Sequence, residues 1–137
     1  MGLRLLGKQQ AVYDIGEPLA FDIDVKTKAD MNDLRFRFEL RYADDVPVGT
    51  VPDILLGNTM ENVMSSYRMQ FDTSLLTPGK YKVYLVLFQR NEYGTCSDHD
   101  LIIPAFHFEM VGEQDITWNM ITWGHIRFPD MPSERLP

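Results

Sequence analysis

Between residues 81 and 88 the chain reads Tyr-Lys-Val-Tyr-Leu-Val-Leu-Phe, with Lys82 the one polar residue among eight positions. This stretch limits the possible folds more than any other. It is short for a buried helix, and its β-branched and aromatic residues suit a pleated strand. It follows Pro78-Gly79, a turn pair in which proline presets one φ and glycine tolerates a positive one. Because side chains alternate along a strand, Tyr81, Val83, Leu85 and Leu87 share one face, and Lys82, Tyr84, Val86 and Phe88 the other. Both faces need cover. The run is therefore expected in mid-sheet, with a core on one side and something apolar on the other.

The rest of the chain offers partners of the same kind. Leu19–Lys26 alternates strictly after the turn Ile15-Gly16-Glu17-Pro18, with Leu19, Phe21, Ile23 and Val25 inward. After a polar linker at residues 27–32, Leu34, Phe36, Phe38, Leu40 and Tyr42 alternate with Arg35, Arg37, Glu39 and Arg41. That period of two cannot be buried on one side of a helix. Tyr67, Met69 and Phe71 repeat the pattern, as do Phe106, Phe108 and Met110, which put His107 and Glu109 outward. Residues 3–6 make a short apolar start that could pair at an edge. Residues 46–56, interrupted by Pro47, Gly49 and Pro52, read as an edge strand or meandering loop, because proline is confined to edges and bulges. Residues 58–64 read as a helical turn or loop, and residues 91–100 as a polar hairpin or longer loop. The expectation is an all-β, immunoglobulin-like antiparallel β-sandwich of about 7–9 strands. It is a single domain over residues 1–128, followed by a flexible tail at 129–137 with three prolines.

Composition narrows the function. A chain of 137 residues can bury a core without disulfides or a metal, and a lone cysteine, Cys96, cannot form an internal bridge, which fits a reducing compartment. No apolar run has membrane-spanning length and no signal peptide is evident, so a soluble, cytoplasmic protein without membrane insertion is expected. A net charge of -7 argues against holding a nucleic-acid backbone, which needs clustered lysine and arginine.

Residues 118–128 hold both tryptophans. As a strand they would place Ile121, Trp123, His125 and Arg127 on one face and Thr122, Ile126 and Phe128 on the other. Such a strand must cover its apolar side on its own domain or on a second copy, so a homodimer that exchanges this segment is expected. Trp118 reads as a core or interface anchor.

Catalytic patterns are weak. Asp98-His99-Asp100 near Cys96 offers metal-ligand types, yet zinc wants three or four convergent ligands, and a solvated loop is the plainer reading. Asp22 and Asp24 share a face and could suggest paired carboxylates, but they fit the wet side of a half-buried strand. There is no Gly-X-Ser-X-Gly elbow, and neither a cofactor nor an enzymatic activity is expected.

Several motifs together carry a resemblance: Gly-Glu-Pro-Leu at 16–19 before an alternating strand, Leu-Leu-Thr-Pro-Gly-Lys-Tyr-Lys-Val at 75–83, the polar loop before Ala105-Phe106-His107-Phe108-Glu109, and Trp123-Gly124-His125. They resemble the C-terminal domain of Wzt-type ATP-binding subunits of polysaccharide ABC exporters, over residues 16–128. The resemblance implies a cytoplasmic, non-catalytic β-sandwich that binds a finished glycan such as an O antigen, dimerises, and works with the nucleotide-binding and transmembrane subunits of a transporter. The chain has no Walker loop, so the resemblance implies either the isolated accessory domain or a free-standing relative of it. A sugar site needs an aromatic plate and planar polar groups. The outward residues Arg35, Arg37, Glu39, Tyr84, Phe88, His107 and Glu109 are the candidates, with Trp123 and His125 added from the C-terminal segment. The competing expectation is a protein-association module without sugar binding, in which Tyr84 and Phe88 lie covered and the arginines form surface ion pairs.

Overall fold

The computed structural model describes residues 2–5, 10–90, 96–113 and 115–137, and side chains at 10–90, 106–113 and 115–137. Among the described residues the chain forms eight strands and one short helix: β1 (Gly2–Leu5), β2 (Val12–Asp14), β3 (Leu19–Lys26), β4 (Met31–Tyr42), β5 (Pro47–Thr59), β6 (Met64–Phe71), β7 (Gly79–Arg90), β8 (Cys96–Val111) and α1 (Met120–Trp123). A three-stranded sheet in the order β1-β3-β6 packs on a five-stranded sheet in the order β2-β8-β7-β4-β5. The protein is thus a β-sandwich, with β7 at the centre of the larger sheet.

The core is made by alternation. Leu19, Phe21, Ile23 and Val25 of β3 meet Leu34, Phe36, Phe38 and Leu40 of β4 and Tyr81, Val83, Leu85 and Leu87 of β7. Phe21 stacks on Phe38 at 6.1 Å and meets Phe106 edge-on at 5.5 Å, so one ring ties β3 to two strands of the facing sheet. The second face of β7 is closed too: Tyr84, Val86 and Phe88 are all buried. β1 takes an edge beside β3, and β5 takes the edge beside β4. The prolines of β5 sit where a ladder hydrogen bond is not required: Pro47 opens the strand, and Pro52 falls in the register shift between the Phe36↔Ile54 and Phe38↔Val51 pairs.

Several expectations are corrected. The sandwich is not wholly antiparallel, because β2 pairs in parallel with β8; at three residues β2 is too short for alternation to mark it. β8 begins at Cys96, so the second half of the expected polar loop belongs to a sixteen-residue strand. Pro104 lies in the register shift between Val83↔Phe106 and Leu85↔Ile102, and it is this bulge that lets a proline stand within a paired strand. Residues 91–95 of that loop, and Leu6 of the apolar start, lie outside the described residues. Residues 58 and 59 extend β5, leaving residues 60–63 as the turn into β6.

The C-terminal segment differs most. Residues 118–128 do not form a strand: Asn119 caps the single turn α1, and beyond Gly124 the chain makes one bridge, Leu76↔Ile126. It returns to its own domain. Thr77 N donates to His125 O, and Arg127 N donates to Leu75 O. The His125 ring stacks on Tyr42 at 3.8 Å. Tyr42 in turn lies over Gly79, where an added Cβ would stand 2.7 Å from the ring, at a φ of +152°, so only glycine fits beneath it. Trp118 anchors the segment by donating Nε1–H to Gly124 O at 2.7 Å.

Truncating Phe21 should lower stability by about 3–5 kcal/mol, the usual cost of emptying an aromatic core position. Phe128→Ala, at a ring 76% exposed, should shift it by less than about 0.5 kcal/mol. Urea unfolding of the two variants checks the contrast, and equal losses would show that the inter-sheet rings are not where the stability lies.

Candidate functional site

The outer face of the five-stranded sheet is set by the residues of β4 and β7 that alternate with the core. The register brings Arg35 opposite Phe88, Arg37 opposite Val86, Glu39 opposite Tyr84 and Arg41 opposite Lys82. Cationic stems lie over the rings. Arg41 Cζ is 4.2 Å from the Tyr84 ring centroid, and Arg37 Cζ is 5.4 Å from that of Phe88. Guanidinium groups pack on aromatic faces while their stems cover apolar surface.

Most charges on this face are spent on each other. Arg37 Nε donates to Glu39 Oε2 at 2.9 Å, with Arg41 3.9 Å from the other oxygen. Asp53 of β5 takes Arg35 and Arg90, each at 2.8 Å. Asp45, in the turn after β4 with a φ of +68°, accepts from the Tyr84 hydroxyl at 2.8 Å and from Lys82 Nζ at 3.2 Å. The Tyr84 hydrogen bond, followed by that of Lys82, holds the Asp45 carboxyl below its usual range. The same bond, through Asp45, raises the Tyr84 hydroxyl.

At the β2 end the face opens into a groove of about 450 Å³ lined by Ala11, Val12, Ala43, Lys80, Tyr81, Lys82, His107, Phe108 and Glu109. Strand pairing puts Lys80 beside Glu109 and Lys82 beside His107, so four polar side chains form a two-by-two block. Among the described residues, Lys80, His107 and Glu109 make no side-chain hydrogen bond or ion pair with the protein. The block therefore has donors and an acceptor available to a ligand.

The expected site residues divide into three groups. Arg35, Arg37, Glu39, Tyr84 and Phe88 do share one face, but Tyr84 is 7% exposed and Phe88 1%. The rings lie under guanidinium groups and offer no open plate. His107 and Glu109 line the groove. Trp123 and His125 do not add to this surface: His125 stacks on Tyr42, a residue packed against the core, and meets Tyr81 edge-on at 6.5 Å. Trp123, half exposed on α1, meets Trp118 at 5.3 Å. Lys80, Lys82, Arg41 and Asp45 were missed. Lys82 stood out as the one polar residue of the central run, and the alternation Lys80-Tyr81-Lys82 was the signal that two cations share its outer face.

The other carboxylate pair takes the plainer role, since Asp22 bonds Arg68 at 2.9 Å and Asp24 accepts from Ser66 at 2.6 Å. The side chains of Cys96, Asp98, His99 and Asp100 lie outside the described residues. Among the described residues no three His, Cys, Asp or Glu side chains gather as a metal site would require, and no helix is long and apolar enough to cross a membrane.

The arrangement defines a β-sandwich with a polar groove on one sheet face. Of solved structures, the crystal structure of the C-terminal domain of Wzt matches with a TM-score of 0.72 over 97% of this chain and 80% of that one, at 10% identity. That match shows a shared fold. The sporulation control protein Spo0M from Bacillus subtilis gives a TM-score of 0.46, at 19% identity over 82% of this chain and 49% of its own. The Pseudomonas fluorescens alkylpurine DNA glycosylase AlkC gives 0.45, at 15% identity over 80% and 30%. No protein-family model matches the chain, and no curated protein matches its sequence.

The Asp45 latch carries a pH signature. A carboxyl held low in the folded state adds stability that is complete above the unfolded value of about 4, and it is lost as pH falls through the lower folded value. Asp45→Asn keeps a side chain that tolerates the left-handed turn and removes the charge. Its melting temperature should lie a few degrees below that of the parent near pH 7, and the two should converge near pH 2. A difference that stays constant with pH would assign the effect to shape rather than charge.

Proposed function

We propose that the protein is a non-catalytic carbohydrate-binding domain that takes a bacterial surface polysaccharide, of O-antigen type, in the groove at the β7–β8–β2 end of the large sheet. The observation that carries this reading is the two-by-two block of Lys80, Lys82, His107 and Glu109, three of whose members have no partner within the protein, set on rigid strands beside a recess of sugar-ring scale. A saccharide presents alternating hydroxyl donors and acceptors, and Glu109 can accept while the lysines and His107 donate. The fold likeness to the Wzt C-terminal domain and the motif resemblance support the choice of ligand. On this reading the domain works in the cytoplasm, alongside the nucleotide-binding and transmembrane subunits of an ABC exporter.

Titration of bacterial surface polysaccharide fragments, followed calorimetrically, tests the proposal. Saturable binding should weaken about tenfold in Glu109→Gln or His107→Ala, the effect of losing one sugar hydrogen bond, and hold in Arg68→Ala on the opposite sheet. Equal weakening in all three would place the site elsewhere.

A second reading, association between copies, draws on Ile121 at 99% exposure, Phe128 at 76% and Met131 at 87%. Apolar groups concentrated on one terminal segment suit an interface between two copies. Sedimentation should then give a dimer for the parent and a monomer for Ile121→Glu with Phe128→Glu. A monomeric parent would dismiss the dimer.

A further inference from the structure

We propose that the open edge of β6 takes an extended segment of another protein as an added strand. One large apolar side chain of that segment sits in the cavity between β5 and the end of β6. The site lies on the β5 flank of the large sheet, across from the flank formed by β8 and β2, and is independent of what the polar groove holds. It arises because the two sheets differ in width, three strands against five. Phe71 of β6 stacks on Phe38 of β4 at 4.7 Å, and the register makes Val51 of β5 the outer neighbour of Phe38. β6 therefore stands over β4, and among the described residues no strand takes the place beside it, over β5. Val48, Val51, Ile54 and Leu56 of β5 pack against the core yet stay only partly buried. A cavity of about 170 Å³ remains there, walled by Phe38, Val48, Val51, Phe71, Leu75 and Ile126 among others. An apolar cavity of about 150 Å³ stays dry and accepts a benzene ring, so this one has room for a single leucine- or phenylalanine-sized side chain.

The two strand edges that border the cavity are unlike. β5 is blunted by Pro47, Pro52 and several register shifts, the usual devices that keep an edge from pairing. β6 has none of them. It pairs with β3 residue for residue without a shift, holds no proline, lysine or glycine, and turns its Arg68 to Asp22. Alternate residues of β6 direct N–H and C=O away from β3, which makes the edge a template for a further strand. The inward residues of β6, Tyr67, Met69 and Phe71, already pack on their own core, so a second copy pairing edge to edge brings no free side chain to the cavity. The chain's own tail carries Pro129, Pro132 and Pro137 and lacks the regular donors a ladder needs. A small apolar molecule fills the cavity but leaves the backbone groups unpaired. A foreign strand with apolar residues at alternate positions does both, its main chain giving affinity and the cavity giving selectivity.

The test uses the full chain and fluorescein-labelled nonapeptides in which threonine alternates with valine and the central residue is leucine, phenylalanine or serine. Each is also made N-methylated along both edges. Anisotropy should show saturable binding of the leucine or phenylalanine peptide with a Kd at or below about 1 mM. The serine peptide and the N-methylated forms should bind at least about tenfold more weakly. Binding should also slow hydrogen exchange at alternate amides of β6. Val51→Phe fills the cavity and leaves the β6 edge open, so it should weaken the leucine peptide about tenfold. Its melting temperature shows whether it folds, and the exchange pattern of the parent decides the matter if it does not. Failure of every peptide to bind, or undiminished binding of the N-methylated forms, would overturn the proposal. So would protection of β1, β5 or the polar groove in place of β6. A parent that sediments as a dimer with β6 already protected would assign the edge to a second copy and overturn it. Binding of toluene without any peptide would leave the cavity to small apolar molecules, and that too would overturn it.

Discussion

The architecture depends on a strand that has no wet side. Tyr81, Val83, Leu85 and Leu87 are covered by the facing sheet, but Tyr84, Val86 and Phe88 point away from it and are just as deeply buried. Among the described residues no second layer packs there. The cover comes in part from long cationic stems, with Arg41 over Tyr84 and Arg37 over Phe88. Magnitudes show which effect matters. Removing an aromatic side chain from water is worth about 1.5–3 kcal/mol, whereas an exposed cation–π contact adds about 0.5–1 and a surface ion pair often less. The arginines thus stabilise the sheet chiefly as apolar cover, and Glu39 and Asp53 hold their heads in place. A chain of net charge -7 gains from this use of arginine, because the positive heads stand among carboxylates that would otherwise repel one another.

A related economy holds the far end of the molecule. Tyr42 ends β4 on the core side, and its ring is packed between the bare backbone of Gly79 and the imidazole of His125, with Tyr81 at its edge. The turn before the central strand and the C-terminal segment are therefore joined through one ring. The Tyr81 hydroxyl donates to Thr77 O, and Thr77 in turn bonds His125 O through both its amide and its hydroxyl. Burial raises the Tyr81 hydroxyl above its usual range, the Thr77 bond opposing, so the ring stays neutral and the joint stays uncharged. The segment gains its order from these contacts rather than from strand pairing.

How much of this could be read from the sequence follows from what each pattern encodes. Alternation in β3, β4 and β7 is written residue by residue, because each strand buries a full row of side chains, and the inward sets came out as expected. The outward rings of β7 were legible as needing cover, but not what would cover them, since that depends on the register between β4 and β7, which brings Arg37 over Phe88 and Arg41 over Tyr84. β2 and the parallel pairing were invisible, as three residues carry no period. The C-terminal segment misled for a physical reason: Ile121, Trp123 and His125 alternate like a strand, yet Asn119 is a good helix cap and Gly124 a good stop, and local capping prevailed where no neighbouring strand offered a full ladder. The outward position of His107 and Glu109 was legible because they alternate with core residues; the position of Asp45 was not, because it comes from a turn folding back over Tyr84 and Lys82.

The position of the unspent groups follows from the same cover. Where β4 lies beside β7, each outward cation has a carboxylate within reach, supplied by β4 itself, by the bulge of β5 or by the turn at Asp45. Beyond β7 that supply ends. β8 contributes His107 and Glu109, and the next strand, β2, brings Val12 to the groove wall with Ala11 just before it, the Ala11 carbonyl accepting from Glu109 N. Glu109 and Lys80 thus face each other across paired strands, yet their side chains make no bond, so neither is neutralised by its neighbour. Groups left in this state are costly only if water is driven off without a replacement. Because they stand on strands, a ligand that replaced that water would require little ordering of these groups, whereas the charges over the centre of the sheet are already bonded to one another.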